Sequence, residues 1–238
     1  MPSRLPSLNG EVIGFALPRL GVNGQGGRLE ALSSSLRAGA TGIEGRVLMT
    51  ADKVAVLGQG STVRAKLRQR RIRGLRSSDL PPGWNSLQSV LELTKGAVPL
   101  LLTVEVDNAF EAIITAARSF GRSAEENLWL SHRDPSLLSQ WRPGTTAKLI
   151  NSTRLGRLAE GLERRLALLH QTDINALSMF HHDWSGGTVA LAHRFGIMAV
   201  GWGAQHEREL AAIIDAGIDA VASEEVERMN TVIDEYYR

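Results

Sequence analysis

Charged side chains lie near the ends of several predicted strands, where they could bind a cation or transfer protons. Glu44 and Arg46 share one predicted strand, and Glu105 lies near the end of another. Two facing carboxylates offer the hard oxygen ligands that Ca²⁺ and Mg²⁺ prefer. A guanidinium beside them repels a cation and can pair with both carboxylates instead. We therefore favour an ion cluster of Glu44, Arg46 and Glu105. The alternative is a weak cation site on the two glutamates.

Three histidines at predicted strand ends are candidates for general acid or base catalysis. His132 ends one predicted strand, while His181 and His182 follow another, with Asp183 directly after them. A neighbouring carboxylate can orient an imidazole for proton transfer. In the alternative interpretation, one of the paired histidines caps the loop and Asp183 caps the following helix.

Two further features could recognise a ligand rather than react with it. Trp202 ends a predicted strand and could form an apolar wall for a ligand, or it could fill the core. A basic run carries seven positive charges in thirteen residues, at Arg64, Lys66, Arg68, Arg70, Arg71, Arg73 and Arg76. This run could attract a phosphorylated ligand, bind nucleic acid or form an ordinary solvated loop. Because no aromatic residues interleave with these charges, we do not expect nucleic-acid binding.

Short β-branched runs alternate with amphipathic segments along the whole chain, and these elements must position the charged groups. The predicted strands are Val12–Ala16, Gly42–Val47, Lys53–Leu57, Leu100–Val106, Leu128–His132, Lys148–Ser152, Ile174–Met179, Ile197–Trp202 and Ala220–Ser223. Strands alternating with helices indicate a parallel sheet covered by helices, and eight repeats in 238 residues favour one (β/α)8 TIM barrel. The segment LMTADK is too short for a crossover helix, so the barrel is irregular around its second and third strands, with a hairpin as one solution.

The composition excludes several classes of protein. The chain has no cysteine, which excludes a disulfide scaffold, a thiolate metal site and a cysteine nucleophile. With 27 Lys and Arg against 25 Asp and Glu, it lacks the strongly basic balance of a nucleic-acid-binding protein. Its apolar runs fall short of the roughly 20 residues that a membrane span needs, and its start lacks an apolar leader. We expect one domain over residues 1–238 and a cytoplasmic location.

Several segments, in order, resemble the glycerophosphodiester phosphodiesterase family. GATGIEGRVLMTADKVAVL is similar to the family motif G-A-D-G-I-E-x-D-V-x-x-T-x-D-x-x-x-V-x-H-D, and LLLTVEVDN is similar to its I-E-I-K strand. SLQSVLEL and the closing segment from Gly196 to Met229 also match in order and spacing, so the resemblance runs from about Val12 to Met229. It implies a phosphodiesterase barrel. It also implies hydrolysis of glycerophosphodiesters to an alcohol and glycerol phosphate, a reaction of lipid metabolism.

The resemblance also shows which catalytic positions have changed. The family uses two histidines as general acid and base, with a divalent cation, Ca²⁺ or Mg²⁺, held by Glu, Asp and Glu. Other residue types stand at the family's catalytic positions: Phe15, Ala16 and Leu17 in the first histidine motif, Gly58 and Gln59 in the second, Arg46 for the aspartate and Asp107 for the lysine. Phenylalanine and glycine cannot carry a proton. Of the cation ligands, Glu44 and Glu105 remain.

Three hypotheses for function follow, and we favour them in this order. The first is a degenerate member that binds a phosphorylated or polyol ligand, contacted by Arg46, Asp107 and Trp202, or that binds a protein partner or a second copy. The second is an active phosphoric diester hydrolase in which Glu44, Glu105 and one of the three histidines have taken over proton transfer. The third is a scaffold that binds polyanions or assemblies through its basic run.

Overall fold

The computed structural model describes residues 6–17, 28–58, 61–65, 68–81, 84–106 and 109–237. Three residues named in the sequence analysis lie outside the described residues: Gln59 of the second histidine motif, Asp107, a predicted ligand contact, and Lys66 of the basic run. Within the described ranges, no helix is both long and apolar enough to cross a bilayer.

Eight parallel strands close into a barrel, which confirms the predicted (β/α)8 fold. The strands in the described residues are β1 (Ile13–Ala16), β2 (Gly42–Met49), β3 (Ala55–Gly58), β4 (Thr62–Ala65), β5 (Arg68–Arg71), β6 (Asn85–Ser86), β7 (Leu100–Val104), β8 (Leu128–His132), β9 (Lys148–Ser152), β10 (Ala176–Phe180), β11 (Met198–Trp202) and β12 (Ala220–Ser223). The barrel order is β1-β12-β11-β10-β9-β8-β7-β2, and pairing between β1 and β2 closes it. All these barrel pairings are parallel.

Helices cover the outside of the barrel and pack their apolar faces against it. They are α1 (Arg28–Arg37), α2 (Leu87–Thr94), α3 (Ala109–Phe120), α4 (Arg122–Glu126), α5 (Pro135–Trp141), α6 (Leu162–Gln171), α7 (Gly186–Arg194), α8 (Glu207–Asp215) and α9 (Val226–Tyr237). Their buried side chains meet the outward-facing residues of the strands in one continuous apolar layer. This layer holds the strands in place, and so determines the positions of the side chains at their C-terminal ends.

The predicted irregularity between the second and third strands is an antiparallel hairpin. β3 runs back along β2, and Gly58 pairs with Arg46. The basic run follows as a second small hairpin of β4 and β5, which is antiparallel and was not predicted. After β5, Ile72 is buried against Leu48 and Val56, so the end of the basic hairpin is tied to the hairpin of β2 and β3.

A second, smaller apolar cluster fills the inside of the barrel. Phe15 and Trp129 meet there edge to face, with ring centroids 5.4 Å apart, and both side chains are fully buried. Gly42 makes room for Phe15, because a Cβ at that position would lie 2.5 Å from a carbon of the phenylalanine ring. Ile150 and Val200 complete this filling from the opposite strands. The interior is therefore a packed core and not a pore.

A buried carboxylate ties the N-terminal end of the barrel together. Asp219 is 0% exposed and precedes β12. Its carboxylate accepts hydrogen bonds from the N–H of Ala199, at 2.6 Å, and from the N–H of Leu8. The same carboxylate lies 2.8 Å from Nε2 of His193. These contacts join β11, the segment before β1 and α7 at one point.

Candidate active site

Strand periodicity directs the charged pair of β2 into the barrel mouth. Ile43 and Val47 pack outward against the helices. Because side chains alternate along a strand, Glu44 and Arg46 face inward. Glu105 directly follows β7, on which Leu101 faces inward, so four residues later its side chain returns to the same face. The carboxyl ends of two neighbouring strands therefore place these three groups on the inner face of the barrel mouth.

An ion pair joins two of these three groups across neighbouring strands. Nη1 of Arg46 lies 3.2 Å from Oε1 of Glu105, and roughly half of each side chain is exposed. Glu44 is more enclosed, and burial raises its pKa to about 7. The positive charge of Arg46 works against this rise, while the negative charge of Glu224 adds to it. Glu44 is therefore a carboxyl group that changes charge near neutral pH.

The divalent cation that the family resemblance implies does not fit this donor set. Arg46 stands where the family places a carboxylate ligand, and its guanidinium pairs with Glu105, one of the two remaining glutamates. A guanidinium has five N–H donors and no lone pair to offer a metal ion. Its fixed positive charge also repels a cation that Glu44 and Glu105 would otherwise share. The positive charge of Arg46 thus balances the negative charge of Glu105 without a metal ion.

We expect the stability of the protein to depend on Glu44 between about pH 4.5 and pH 7. In this window the folded state keeps a proton that the unfolded state has lost, because the pKa of Glu44 is raised from 4.5 to about 7. The free energy of unfolding therefore falls as the pH rises. Glu44→Gln stays neutral, so its stability relative to the natural chain should increase by about 1–3 kcal/mol from about pH 5 to about pH 8, allowing for partial exposure.

Urea unfolding at a series of pH values measures this difference. Glu163→Gln is the matched control, since Glu163 is exposed on α6 and the same change of charge occurs there in solvent. Parallel pH profiles for the natural chain and Glu44→Gln would contradict the assignment.

An aromatic wall lies on the opposite side of the mouth. The last residues of β10 and β11, Phe180 and Trp202, are in register and their rings meet edge to face at 5.1 Å. The guanidinium of Arg154 lies over both rings, 4.5 Å from that of Phe180 and 5.7 Å from that of Trp202. Trp202 is half-buried, and its Nε1 is enclosed without a hydrogen-bond partner in the described part of the chain. Phe180 and Arg154 were not among the predicted site residues.

Asp183 holds Arg154 rather than a histidine or a helix. Its Oδ2 accepts the Nε–H of Arg154 at 2.7 Å and the N–H of Leu155 at 3.2 Å. The cap of α7 is Ser185, whose hydroxyl accepts the N–H of Thr188. Both sequence interpretations of Asp183 were therefore wrong, because its carboxylate takes the stronger, charge-assisted partner.

His181 and His182 lie beside this wall in a short 3₁₀ helix over His181–Asp183. Their rings are 4.0 Å apart, and that of His181 also contacts the Phe180 ring at 4.3 Å. His181 is buried and His182 exposed. Burial, followed by repulsion from His182, lowers the pKa of His181, although Glu209 acts in the opposite direction. His181 is thus favoured as a neutral imidazole.

His132 faces the helix layer and not the barrel interior. Leu128 and Leu130 on the same strand belong to the outer core, and His132 continues that face. Its Nδ1 accepts the N–H of Asp134 at 3.0 Å, and its ring lies 5.7 Å from that of Trp141 on α5. The structure therefore separates this candidate base from Glu44 and Arg46.

Three of the residues at the family's histidine motifs, Phe15, Ala16 and Gly58, are structural. Phe15 fills the barrel interior, and Ala16 is fully buried in the ladder between β12 and β2. Gly58 is buried at the end of β3, opposite Arg46. None of them offers a side chain that could transfer a proton.

A band of hydroxyl groups forms the remaining inner lining near the mouth. It consists of residues two positions after inward-facing core residues: Thr103, Ser131, Ser152 and Ser178. Sequence reasoning missed this band, although the alternation of the strands implies it once the inward face is known. Together with the charged trio and the aromatic wall, it makes the mouth suited to an oxygen-rich ligand.

The basic hairpin carries exposed arginines on its second strand and beyond. Arg70, Arg71, Arg73 and Arg76 are all exposed. The hairpin follows Gly58, the residue that pairs with Arg46 at the mouth, after residues 59–60. It is therefore connected closely to the mouth through β3.

Solved structures share this fold at low sequence identity. A protein from Silicibacter pomeroyi, provisionally named a glycerophosphoryl diester phosphodiesterase, has a TM-score of 0.80 at 17% identity, over 100% of this chain and 95% of its own. The glycerophosphodiester phosphodiesterase of Thermotoga maritima has a TM-score of 0.76 at 20% identity, over 93% and 98%. An Oleispira antarctica phosphodiesterase, solved with its product sn-glycerol-3-phosphate, has a TM-score of 0.72 at 16% identity, over 97% of each chain. No protein-family model and no curated protein matches the chain.

Proposed function

We propose that this barrel, which has the fold of the glycerophosphodiester phosphodiesterases, binds a phosphorylated or polyol small molecule at its mouth. In this proposal the two-histidine, cation-assisted hydrolysis of glycerophosphodiesters has been lost. The shared fold supports the site, and the Oleispira antarctica protein shows that such a barrel can hold glycerol phosphate. At 16% identity this similarity supports a shared fold and not a shared ligand. The ligand class proposed for this chain is therefore argued from the side chains of its own mouth.

The observation that carries the proposal is the ion pair between Arg46 and Glu105. At 3.2 Å, it places a positive charge among the carboxylates that would otherwise attract a cation. A divalent cation would stabilise developing charge on a phosphate by several kcal/mol. The guanidinium of Arg46 can bind the phosphate group of a substrate. It cannot replace a metal ion in lowering the pKa of a bound water molecule. Such a mouth favours binding over hydrolysis.

The loss of the two histidines acts in the same direction. Each general acid or base contributes roughly 10²–10⁴-fold to a rate. Phe15 is fully buried in the core, and Gly58 has no side chain. Catalysis by the family's route would therefore lose both proton transfers as well as the cation.

The remaining groups of the mouth suit a polyol that carries a phosphate. The C–H faces of a polyol can pack on the wall of Phe180 and Trp202. The enclosed Nε1 of Trp202 lacks a protein acceptor among the described residues and can donate to a ligand oxygen. Arg154 and Arg46 keep about 40% of their side chains exposed, so each can also pair with a phosphate.

We expect no release of glycerol 3-phosphate from glycerophosphocholine or from a panel of other glycerophosphodiesters. Assays with Ca²⁺, with Mg²⁺ and with EDTA should all match the background of Glu105→Ala. Calorimetric titration with glycerol 3-phosphate should show binding that weakens about tenfold in Arg154→Met, which keeps the apolar stem and removes the charge. Arg122→Met, at an exposed arginine of α4, is the matched control for that titration.

Two results would overturn the proposal. One is metal-dependent turnover that is lost in Glu105→Ala. The other is tight calorimetric binding of Ca²⁺ that requires Glu105. An active family member run in parallel shows that the assay detects hydrolysis.

A second candidate is hydrolysis with relocated acid–base catalysis, and Glu44 favours it. Because the pKa of Glu44 is raised to about 7, this carboxyl group can donate or accept a proton near neutral pH. It would act beside Arg46, which can hold a phosphate. Turnover that persists in EDTA, follows the ionisation of Glu44 and disappears in Glu44→Gln would identify this function. His181 and His182, whose rings lie beside Phe180, are then the candidate histidines for the second proton transfer.

A further inference from the structure

Two imidazoles and a carboxylate converge at the rim of the mouth, beyond the aromatic wall. A ligand atom from each of His181, His182 and Glu209 lies within 4.8 Å of the others. We propose that these three side chains bind one divalent transition-metal ion, with Zn²⁺ as the best match, and leave one coordination position open. This inference does not depend on the ligand proposed for the mouth.

Both imidazoles belong to the short 3₁₀ helix after β10. Their side chains turn towards each other, so that the ring centroids lie 4.0 Å apart and the rings are tilted by 36°. His181 is 5% exposed and packs against Phe180 at 4.3 Å. Its ring is therefore held by packing before any ion binds, whereas the exposed His182 can rotate to meet the ion. The fixed ring of His181 lowers the conformational entropy lost when an ion binds. The mobile ring of His182 can then adjust to the geometry that the ion requires.

The carboxylate is held in place by the start of α8. Oε2 of Glu209 accepts the N–H of Gln205 at 3.0 Å and the N–H of His206 at 3.1 Å. These two hydrogen bonds lower the pKa of Glu209 and keep it a carboxylate. Such hydrogen bonds behind a ligating carboxylate orient it towards the metal. The other oxygen, Oε1, is not used by these two bonds.

The distance between His181 and Glu209 is longer than a hydrogen bond and close to the distance between two ligands of one metal ion. Nε2 of His181 lies 4.0 Å from Oε2 of Glu209, beyond the roughly 3.2 Å limit of a good hydrogen bond. Ligands on a tetrahedral Zn²⁺, with bonds of about 2.0–2.2 Å, lie about 3.3–3.5 Å apart. Rotation of His182 and a small shift of Glu209 would close the remaining gap. The cluster is thus slightly expanded relative to a metal-bound one.

The ligand types select the ion. Imidazole nitrogen suits Zn²⁺ and its neighbours in the first transition row, whereas Ca²⁺ and Mg²⁺ require mostly oxygen ligands. Three protein ligands leave a fourth position on Zn²⁺ for water or for an oxygen of a ligand. The exposed side of His182 opens that position to solvent. This site differs in residues and in chemistry from the carboxylate pair of Glu44 and Glu105.

Metal uptake by the full chain tests the proposal. After treatment with a chelator and its removal, equilibrium dialysis against Zn²⁺ should give one bound ion per chain. Co²⁺ used as a spectroscopic probe should show the visible absorption of a site with nitrogen ligands. Excess Ca²⁺ or Mg²⁺ should not displace either ion. Failure to take up one equivalent of Zn²⁺ overturns the proposal.

Variants assign the ligands. His182→Ala removes an exposed side chain and should lower Zn²⁺ affinity at least tenfold, and Glu209→Gln should also weaken binding while keeping an oxygen for the two N–H groups. His170→Ala is the matched control, because His170 is exposed on α6. Glu44→Gln should leave Zn²⁺ affinity unchanged. Unchanged affinity in His182→Ala, or an equal loss in His170→Ala, overturns the assignment.

Discussion

Replacing Phe15 by alanine is expected to lower the free energy of unfolding by about 3–5 kcal/mol. The ring is fully buried inside the barrel and meets Trp129 edge to face at 5.4 Å. Alanine would lose this contact and leave a cavity between strands that the outer helices hold apart. Gly42, which carries no side chain, cannot fill the space. Urea unfolding of the purified variant, followed by fluorescence or circular dichroism, measures the loss.

Two further substitutions make the Phe15 result interpretable. Phe15→Leu keeps an apolar side chain and should cost less than Phe15→Ala, about 1–1.5 kcal/mol, so it stays measurable if the alanine variant fails to fold. Leu168→Ala is the surface control, because Leu168 is 39% exposed on α6, and it should change stability by about 0.5 kcal/mol or less. A Phe15→Ala variant as stable as Leu168→Ala would show that the interior is not packed around this ring.

The Phe15 prediction bears on function as well as on stability. By resemblance, this position belongs to the first histidine motif of the phosphodiesterase family. Here its side chain is part of the apolar core around Trp129. A histidine introduced there would bury a polar ring among apolar neighbours, at a cost of about 1–3 kcal/mol if it found no partner. We therefore expect Phe15→His to be destabilised and to show no turnover.

The barrel was predictable because strand and helix periods are local properties of the sequence. Three strands, Leu128–His132, Lys148–Ser152 and Ala220–Ser223, have the bounds that their β-branched and apolar residues indicate. The hairpin of β4 and β5 was missed, since its second strand, RQRR, has no apolar alternation. Helix α5 starts at a recognisable signal, since Asp134 caps it and Pro135 follows directly.

The facing of His132 could not be derived from its strand. A strand of a parallel barrel is buried on both faces, so Leu128, Trp129 and Leu130 are all apolar and show no period of two. Without that period, the inward and outward faces cannot be told apart from sequence. Glu44 and Arg46 could be placed, because charged residues two apart on a strand share a face and have only the mouth to occupy.

Residues outside the strands were the hardest to assign to the mouth. Arg154 lies two residues beyond the end of β9, and Glu209 lies in the first turn of α8. Their positions depend on how each loop turns, and loop geometry has no periodic signal in the sequence. The pairing of Arg154 with Asp183 follows from this geometry, as does the approach of Glu209 to the paired histidines.

The second large effect is expected at the other end of the barrel. Asp219→Ala should lower the free energy of unfolding by about 3–5 kcal/mol, because it removes one partner from a buried, charge-assisted network. It would leave the N–H of Ala199 and the imidazole of His193 without their acceptor. It would also release the N–H of Leu8, which ties the segment before β1 to the barrel. Urea unfolding measures the loss, and faster proteolysis near Leu8 should accompany it.

Comparison of this variant with a matched one separates the scaffold from the mouth. Asp234→Ala removes the same charge from an exposed position on α9 and should change stability by about 0.5 kcal/mol or less. Because Asp219 lies before β12, at the end of the barrel opposite the mouth, the folded fraction of Asp219→Ala should bind mouth ligands with unchanged affinity. Equal stability of the two variants would show that the network at Asp219 does not hold the barrel together. Weakened ligand binding in folded Asp219→Ala would show that the two ends are coupled, since no side chain of this network reaches the mouth.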